Sequence, residues 1–306
     1  MQNQDKFLKQ FKKLALLDKN IRLVTLEGSR VNKRAIQDRY QDYDVSFFIK
    51  RKNLRKFLNL KKNKAIKKAK LPKFIKKFGE ILLYQAPEGF EFYEGNLPKN
   101  WVSFLVIFKN GIRVDFKFIP LKALKFYYKF EPLSKVLVDK DRKFKKPQHK
   151  SAFCIKKPTK KDFDEVSNEF YWTFANLEKA LLRKQLILAN SLLKSMREIL
   201  FDMLSFKVGI KFGFEIWLGK KNTDILKFLK QKEVKVILNS FNTASIKQTR
   251  KKLEILFHKN AKFIAKKSDF KLFPYRKNVK RYCKNFRKIV IIFLSSFILI
   301  FMLDYI

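Results

Sequence analysis

Asp42 and Asp44 stand two apart, just ahead of an apolar, β-branched and aromatic run. At a strand entrance that spacing sends both carboxylates to one face, while Tyr43 and Val45 turn to the other. Converging carboxylates repel each other, and a bound divalent cation removes that cost, so the pair is a candidate metal site. An Asp-X-Asp triplet is also common in solvated turns, and its neighbours decide between the readings. Upstream, Gly28-Ser29-Arg30 follows an apolar run, where main-chain amides and the Ser29 hydroxyl can hold a nucleotide phosphate. Downstream, residues 112–119 alternate Arg113, Asp115 and Lys117 with Val114, Phe116 and Phe118, which puts a third carboxylate in mid-strand. A charge there needs a partner. Asp115 either pairs with a neighbouring lysine or completes a three-carboxylate cradle for two magnesium ions. Such ions orient an attacking hydroxyl, polarise an α-phosphate and neutralise leaving pyrophosphate.

The pattern supplies elements to position these groups. Residues 6–17 carry Phe7, Leu8, Phe11, Leu14 and Leu17 near helical spacing, and residues 21–26 read as a buried strand. Further strands are predicted at 45–49, 101–108 and 112–119, the last two joined at Asn110-Gly111 as a hairpin. Residues 51–77 are lysine-dense and helical in parts, with an interruption at Pro72. Residues 140–158, with Pro147 and Pro158, are the linker. From Asp162 onward the pattern turns helical, including 168–188 and 192–206, so an all-helical domain follows. There Asn168, Trp172, Lys179 and Arg183 recur at helical spacings. Lys179 and Arg183 can grip a triphosphate or form a solvated basic stripe; Trp172 is expected in the core, and Glu169 can cap or pair within its own helix.

Composition sets the partners. The chain has 306 residues, 34 of them Phe, with 71 Lys plus Arg against 27 Asp plus Glu, a formal charge of +44. Such a field attracts polyanions, which makes nucleic acid a rival partner. The lysines are nevertheless spread over almost the whole chain, as a bias toward A- and T-rich codons produces, and no RNA-recognition motif or zinc spacing accompanies them. Cys154 and Cys283, His149 and His258 are isolated, which excludes a Cys/His metal cluster and a disulfide framework and points to the cytoplasm. The N-terminal residues lack the apolar core of a secretory signal. Residues 289–303 are nearly all apolar and follow Lys284, Arg287 and Lys288. This run is shorter than the roughly 20 residues of a spanning helix. It reads as a tail anchor with a positive flank, a buried terminal helix or an extension of the reading frame.

EGSR at 27–30, QDYDVSFFI at 41–49, NGIRVDFKFIPL at 110–121, KKPTKKDFDEVSNEFYW at 156–172 and GKKNTDILKFL at 219–229 resemble the polymerase-β-like nucleotidyltransferases. More closely, they resemble the aminoglycoside 6-adenylyltransferases that modify streptomycin. The similarity is collinear to about residue 288. It implies an α+β fold, with a polymerase-β-like domain with a mixed sheet over 1–150 and an all-helical substrate-binding domain over 151–288; the apolar tail over 289–306 is a departure that the resemblance does not cover. The resemblance implies magnesium-dependent transfer of AMP from ATP to a hydroxyl of an aminoglycoside, streptomycin first. By this resemblance Ser29, with Gly28 and Arg30, belongs to the nucleotide loop, Asp42 and Asp44 are the metal aspartates, Asp115 is the third strand acid, and Glu169 contacts the aminoglycoside or acts as general base.

Aminoglycosides are polycations, which a chain of this charge repels at long range; screening over about 8 Å in physiological salt makes local charge decisive. The scarce acids crowd two segments: Glu80, Glu88, Glu91 and Glu94, and Asp162, Asp164, Glu165 and Glu169. They either bracket a cationic substrate on both domains or neutralise nearby lysines. Two other functions stay open. One is transfer to a different hydroxyl acceptor, an RNA end or a protein; the other is a basic RNA- or membrane-surface-binding protein that keeps the fold without activity.

Overall fold

The computed structural model describes residues 2–286 except 34, 59, 61–68, 94, 99, 132, 146–153 and 243–244. Glu94, His149, residues 146–153 of the linker and the run 289–303 therefore lie outside the described residues. The chain divides into two compact units, 1–152 and 153–306.

The first unit runs α1 (Gln2–Leu17), β1 (Ile21–Glu27), β2 (Tyr43–Ile49), α2 (Arg51–Phe57), β3 (Ile81–Gln85), β4 (Val102–Phe108), β5 (Arg113–Pro120), α3 (Leu124–Phe130) and β6 (Ser134–Asp139). The strands form one sheet in the order β3-β4-β5-β2-β1-β6. Only β2 and β5 run parallel; every other neighbouring pair is antiparallel, so the sheet is mixed. The predicted hairpin forms as β4 and β5, with Gly111 at φ +80° in its turn. The edge strands β3 and β6 were not foreseen. β3 exposes Leu82, Leu83 and Tyr84, and β6 is half-buried apart from exposed Lys135, so neither carries the inward–outward contrast that marks a strand with one covered face.

The abundant phenylalanines have a packing role. On one side of the sheet Phe7 and Phe11 of α1 meet Tyr43, Phe47, Phe78, Phe108 and Phe116, with ring centroids 5.3–6.3 Å apart. These side chains are buried, and each contributes on the order of 2–3 kcal/mol by leaving water. On the other side Leu23, Phe48 and Ile119 pack with Trp101, Leu124 and Tyr127. The mid-strand acids share this second face with that smaller core.

The second unit is helical: α4 (Lys160–Leu182), α5 (Leu186–Phe212), α6 (Gln231–Asn239) and α7 (Ile246–Ser268). A further helical stretch covers 275–286. Thr159 and Asp162 form a reciprocal capping box that starts α4, so Asp162 is an end cap. Lys184, at φ +57°, breaks the chain between α4 and α5, where the apolar periodicity alone predicts a helix continuing to residue 188. Trp172 corrects another expectation. It is 66% exposed, because α4 buries the stripe of Phe163, Phe170, Phe174 and Leu177, and position 172 lies about 200° round the helix from 170. No helix of the described residues is long and apolar enough to cross a membrane.

Candidate active site

Strand register sets the site. Glu27 on β1 pairs with Asp44 on β2, which pairs with Asp115 on β5, so three carboxylates form one row across adjacent strands. The next row on that face is Thr25, Ser46 and Lys117, and the row beyond it is Leu23, Phe48 and Ile119. Polarity thus falls stepwise into the sheet, and the acids sit at its open end. Asp42 immediately precedes β2, and its side chain is 41% exposed.

Glu27 is the member that sequence reasoning missed. It is buried, and its carboxylate accepts hydrogen bonds from Lys117 Nζ at 2.8 Å and Tyr127 Oη at 2.6 Å. Lys117 also donates to Glu131 at 2.5 Å. Burial lowers the Lys117 pKa, but the two carboxylates outweigh it and hold the ammonium form firmly. Burial, followed by the Glu27 charge, raises the Tyr127 hydroxyl and keeps it a donor. The alternation Leu23-Thr25-Glu27, repeated in Phe48-Ser46-Asp44 and Ile119-Lys117-Asp115, is the sequence signal that marks this face.

Asp44 has its pKa pushed up to about 6, first by burial and then by Asp115, with Lys117 opposing the rise. Gly28, at φ +67°, lets the turn lie against this carboxylate: a Cβ there would stand 2.3 Å from Asp44 Oδ2. The same turn is braced by Arg30. Its guanidinium donates to the main-chain carbonyls of Gln41 at 2.5 Å and Asp42 at 2.9 Å and stacks 3.7 Å from the Tyr43 ring centroid. Arg30 is committed to holding the turn against the start of β2. Ser29 lies between them, partly exposed, its carbonyl accepting from Gln37 at 3.4 Å.

Asp115 is paired, as one reading anticipated, although with an arginine. Arg113 donates to both its oxygens at 2.8 Å and lies 3.6 Å from Asp42. One cation therefore neutralises two acids. Among the described residues no three His, Cys, Asp or Glu side chains converge closely enough to ligate a single ion, because Asp115 is turned to Arg113. The donor chemistry still fits a hard divalent cation: carboxylate oxygens crowd around Asp44, and its raised pKa reflects burial and a repulsion that added positive charge relieves.

In the second unit a cavity of about 570 Å³ lies along α4 and α5, lined by Asp164, Glu165, Asn168, Glu169, Asp202 and Tyr275 among others. Its four carboxylates are a local reversal in a chain of charge +44. Asp202, on α5, was not singled out from the sequence; burial, with Glu198 nearby, raises its pKa. Asp164 pairs through Oδ2 with Lys160, while its Oδ1 is buried with no hydrogen-bond partner. Glu169 is exposed and accepts from Thr173 at 3.5 Å, and Asn168 donates to Tyr275 at 3.4 Å. Lys179 and Arg183 fall ten and fourteen residues beyond Glu169, roughly 15–20 Å along the helix axis, so they do not share its cavity.

The first acidic segment is not assembled this way. Glu88 is buried and accepts from the Ser103 amide at 2.7 Å, latching its loop to β4, so it does not face a substrate. Glu80 pairs with Lys109 at 2.5 Å.

A parallel pair at the centre of a mixed sheet, with acids at its open end and a glycine turn against one of them, gives the first unit the form of a nucleotidyltransferase. The chain belongs to the streptomycin adenylyltransferase family, whose model matches residues 1–286, and it is an enzyme of that class. An aminoglycoside 6-adenylyltransferase of Bacillus subtilis (strain 168) is 28% identical over 289 residues, 92% of this chain and 97% of that protein. One of Staphylococcus aureus is 28% identical over 295 residues, 93% and 99% of the two chains. A crystal structure of an aminoglycoside 6-adenyltransferase from Bacillus subtilis covers 92% of this chain and 97% of its own, with 24% identity and a TM-score of 0.43.

Proposed function

We propose that the chain transfers AMP from ATP to a hydroxyl of an aminoglycoside, with streptomycin as the first candidate, and so inactivates the antibiotic. The observation that carries this reading is the pairing of a phosphoryl-transfer acid row in one unit with an acidic cavity in the other. The two relatives, each named an aminoglycoside 6-adenylyltransferase and matched over nearly their whole length, support it.

In the first unit Asp42, Asp44 and Asp115 would hold magnesium, which when bound polarises the α-phosphate and neutralises the departing pyrophosphate. Gly28 and Ser29 present main-chain amides and a hydroxyl to the nucleotide phosphates, on a turn that Arg30 keeps rigid. Glu27, tied to Lys117 and Tyr127, fixes β1 beside β2 so that Asp44 keeps its orientation. The acceptor oxygen forms a bond to the α-phosphorus in line with the bond to pyrophosphate, which breaks; the hydroxyl proton passes to a carboxylate, Asp115 or Glu169. Positioning and fixed charge supply most of the rate.

In the second unit Glu169, Asp164, Glu165 and Asp202 suit an acceptor bearing several ammonium or guanidinium groups. This favours an aminoglycoside over an RNA end, which four carboxylates repel. Incubation with labelled ATP, magnesium and separate acceptors tests the choice. Label is expected on streptomycin, and strict dependence on RNA or on a protein acceptor would defeat the antibiotic reading.

A further inference from the structure

A second cavity, of about 560 Å³, has the opposite charge. Two helical faces build it. Lys247, Arg250 and Lys251 of α7 and Arg276, Lys280 and Lys284 of the stretch 275–286 line it, each set spaced so as to share one side of its helix. Phe174, in its wall, lies five residues beyond Glu169 on α4, about 140° round the helix, so this cavity and the acidic one open on different faces of α4. Glu254 is the one acid among its described lining residues, and Arg276 holds it at 2.6 Å.

Arg250 is buried; it pairs with Glu178 and stacks 4.3 Å from the Phe174 ring centroid, yet its Nε has no hydrogen-bond partner. Glu178 and Glu254 balance the two arginines, which leaves the four exposed lysines uncompensated by any described lining residue. Lys247 with Lys251, Arg276 with Lys280 and Lys280 with Lys284 are like-charged pairs four residues apart, an arrangement that destabilises a helix. Phe174 and buried Cys283 beside them lower the local dielectric and strengthen the repulsion. An unsatisfied buried donor and uncompensated positive charge thus meet in one cavity, and a bound anion relieves both.

Size and charge narrow the anion. A cavity of this volume suits a small molecule. A single carboxylate leaves most of the charge unbalanced, whereas a phosphate chain concentrates several negative charges and many acceptor oxygens in little space. We propose that the α7 cavity binds a small oligophosphate, a linear chain of two or three phosphate groups. Nucleic acid spreads its phosphates along an extended backbone, which does not match cations converging on one cavity. The proposal is independent of the adenylyl-transfer reading.

The test is isothermal titration calorimetry of the full chain with tripolyphosphate, in physiological salt and with chelator so that no magnesium reaches the acid row. Two cavity variants, Lys280→Gln/Lys284→Gln and Lys247→Gln/Lys251→Gln, are compared with Lys122→Gln/Lys125→Gln, which makes the same charge change at exposed positions in the other unit. Losing one exposed ion-pair partner costs up to about fivefold in affinity. Each cavity variant should therefore lose about tenfold or more, and the control less than about twofold because screening confines the effect of remote charge. Asp44→Asn should bind tripolyphosphate as the unaltered chain does, which separates this site from the adenylyl-transfer reading. Orthophosphate, which reaches fewer of the lysines, should bind about tenfold more weakly. Equal losses in cavity and control variants, an unaffected cavity variant, orthophosphate binding as tightly as tripolyphosphate, or no binding by the unaltered chain would overturn the proposal. So would loss of single-stranded RNA binding in the cavity variants with tripolyphosphate binding intact.

Discussion

Asp44 and Asp115 are register partners across the parallel strands β2 and β5, and each is balanced differently. Asp115 is chelated by Arg113, whereas Asp44 lies against Gly28 with its pKa pushed up to about 6. The row therefore carries a charge conflict that the fold alone does not resolve. Such conflicts mark sites where stability has been exchanged for chemistry.

The conflict has a measurable sign. Because the Asp44 pKa is raised in the folded chain, the folded state binds its proton more tightly, and stability declines as pH rises from the ordinary carboxylate range through about 6. Asp44→Asn removes that loss. The variant should be more stable than the unaltered protein at pH 7.5, by up to about 3 kcal/mol, and equal it near pH 4. It should also transfer no AMP. Thermal melts at the two pH values and a turnover assay check both halves.

Arg113 is the cation that Asp115 and Asp42 share. Replacing it by Gln leaves Asp115 and Asp42 without their common cation. In chelator the variant should be less stable by about 1 kcal/mol, a modest figure because Arg113 is 40% exposed. Magnesium should then raise its melting temperature more than it raises that of the unaltered chain. A smaller magnesium response in Arg113→Gln would count against a metal at this row.

Gly28→Ala drives a Cβ into the Asp44 carboxylate at a positive φ, whereas Gly111→Ala meets a positive φ in open space. Both should lose about 1–2 kcal/mol of stability. Only the change at position 28 should reduce turnover, by tenfold or more, when the two are assayed side by side.

Glu169→Gln and Asp202→Asn weaken the acidic cavity without touching the acid row. Each should raise KM for the aminoglycoside about tenfold, equivalent to roughly 1.4 kcal/mol, and leave KM for ATP unchanged. Steady-state kinetics with each substrate varied in turn separates these effects; a rise confined to ATP would reassign the cavity.

Much of this layout is legible in the chain. The alternation around Asp115 gives its strand and facing, Asn110-Gly111 gives the turn, and the Asp42/Asp44 spacing follows from strand geometry. What was illegible depends on long-range pairing. Glu27 looks like an ordinary strand-end acid until β1 and β2 come into register, and Asp202 joins Glu169 only when α5 packs on α4. Trp172 misled because a large ring suggests burial, whereas the neighbouring phenylalanines had already filled the inward face of α4. Glu88 misled for the converse reason: an acid in a loop-rich segment folds inward when a main-chain amide and a hydroxyl satisfy it.

The most direct test is mass spectrometry of streptomycin incubated with ATP, magnesium and either the unaltered chain or Asp44→Asn. The account predicts one added AMP with release of pyrophosphate for the unaltered chain, and unmodified antibiotic for the folded variant. Adenylylated streptomycin from Asp44→Asn at an undiminished rate, or none from the unaltered chain, would contradict it.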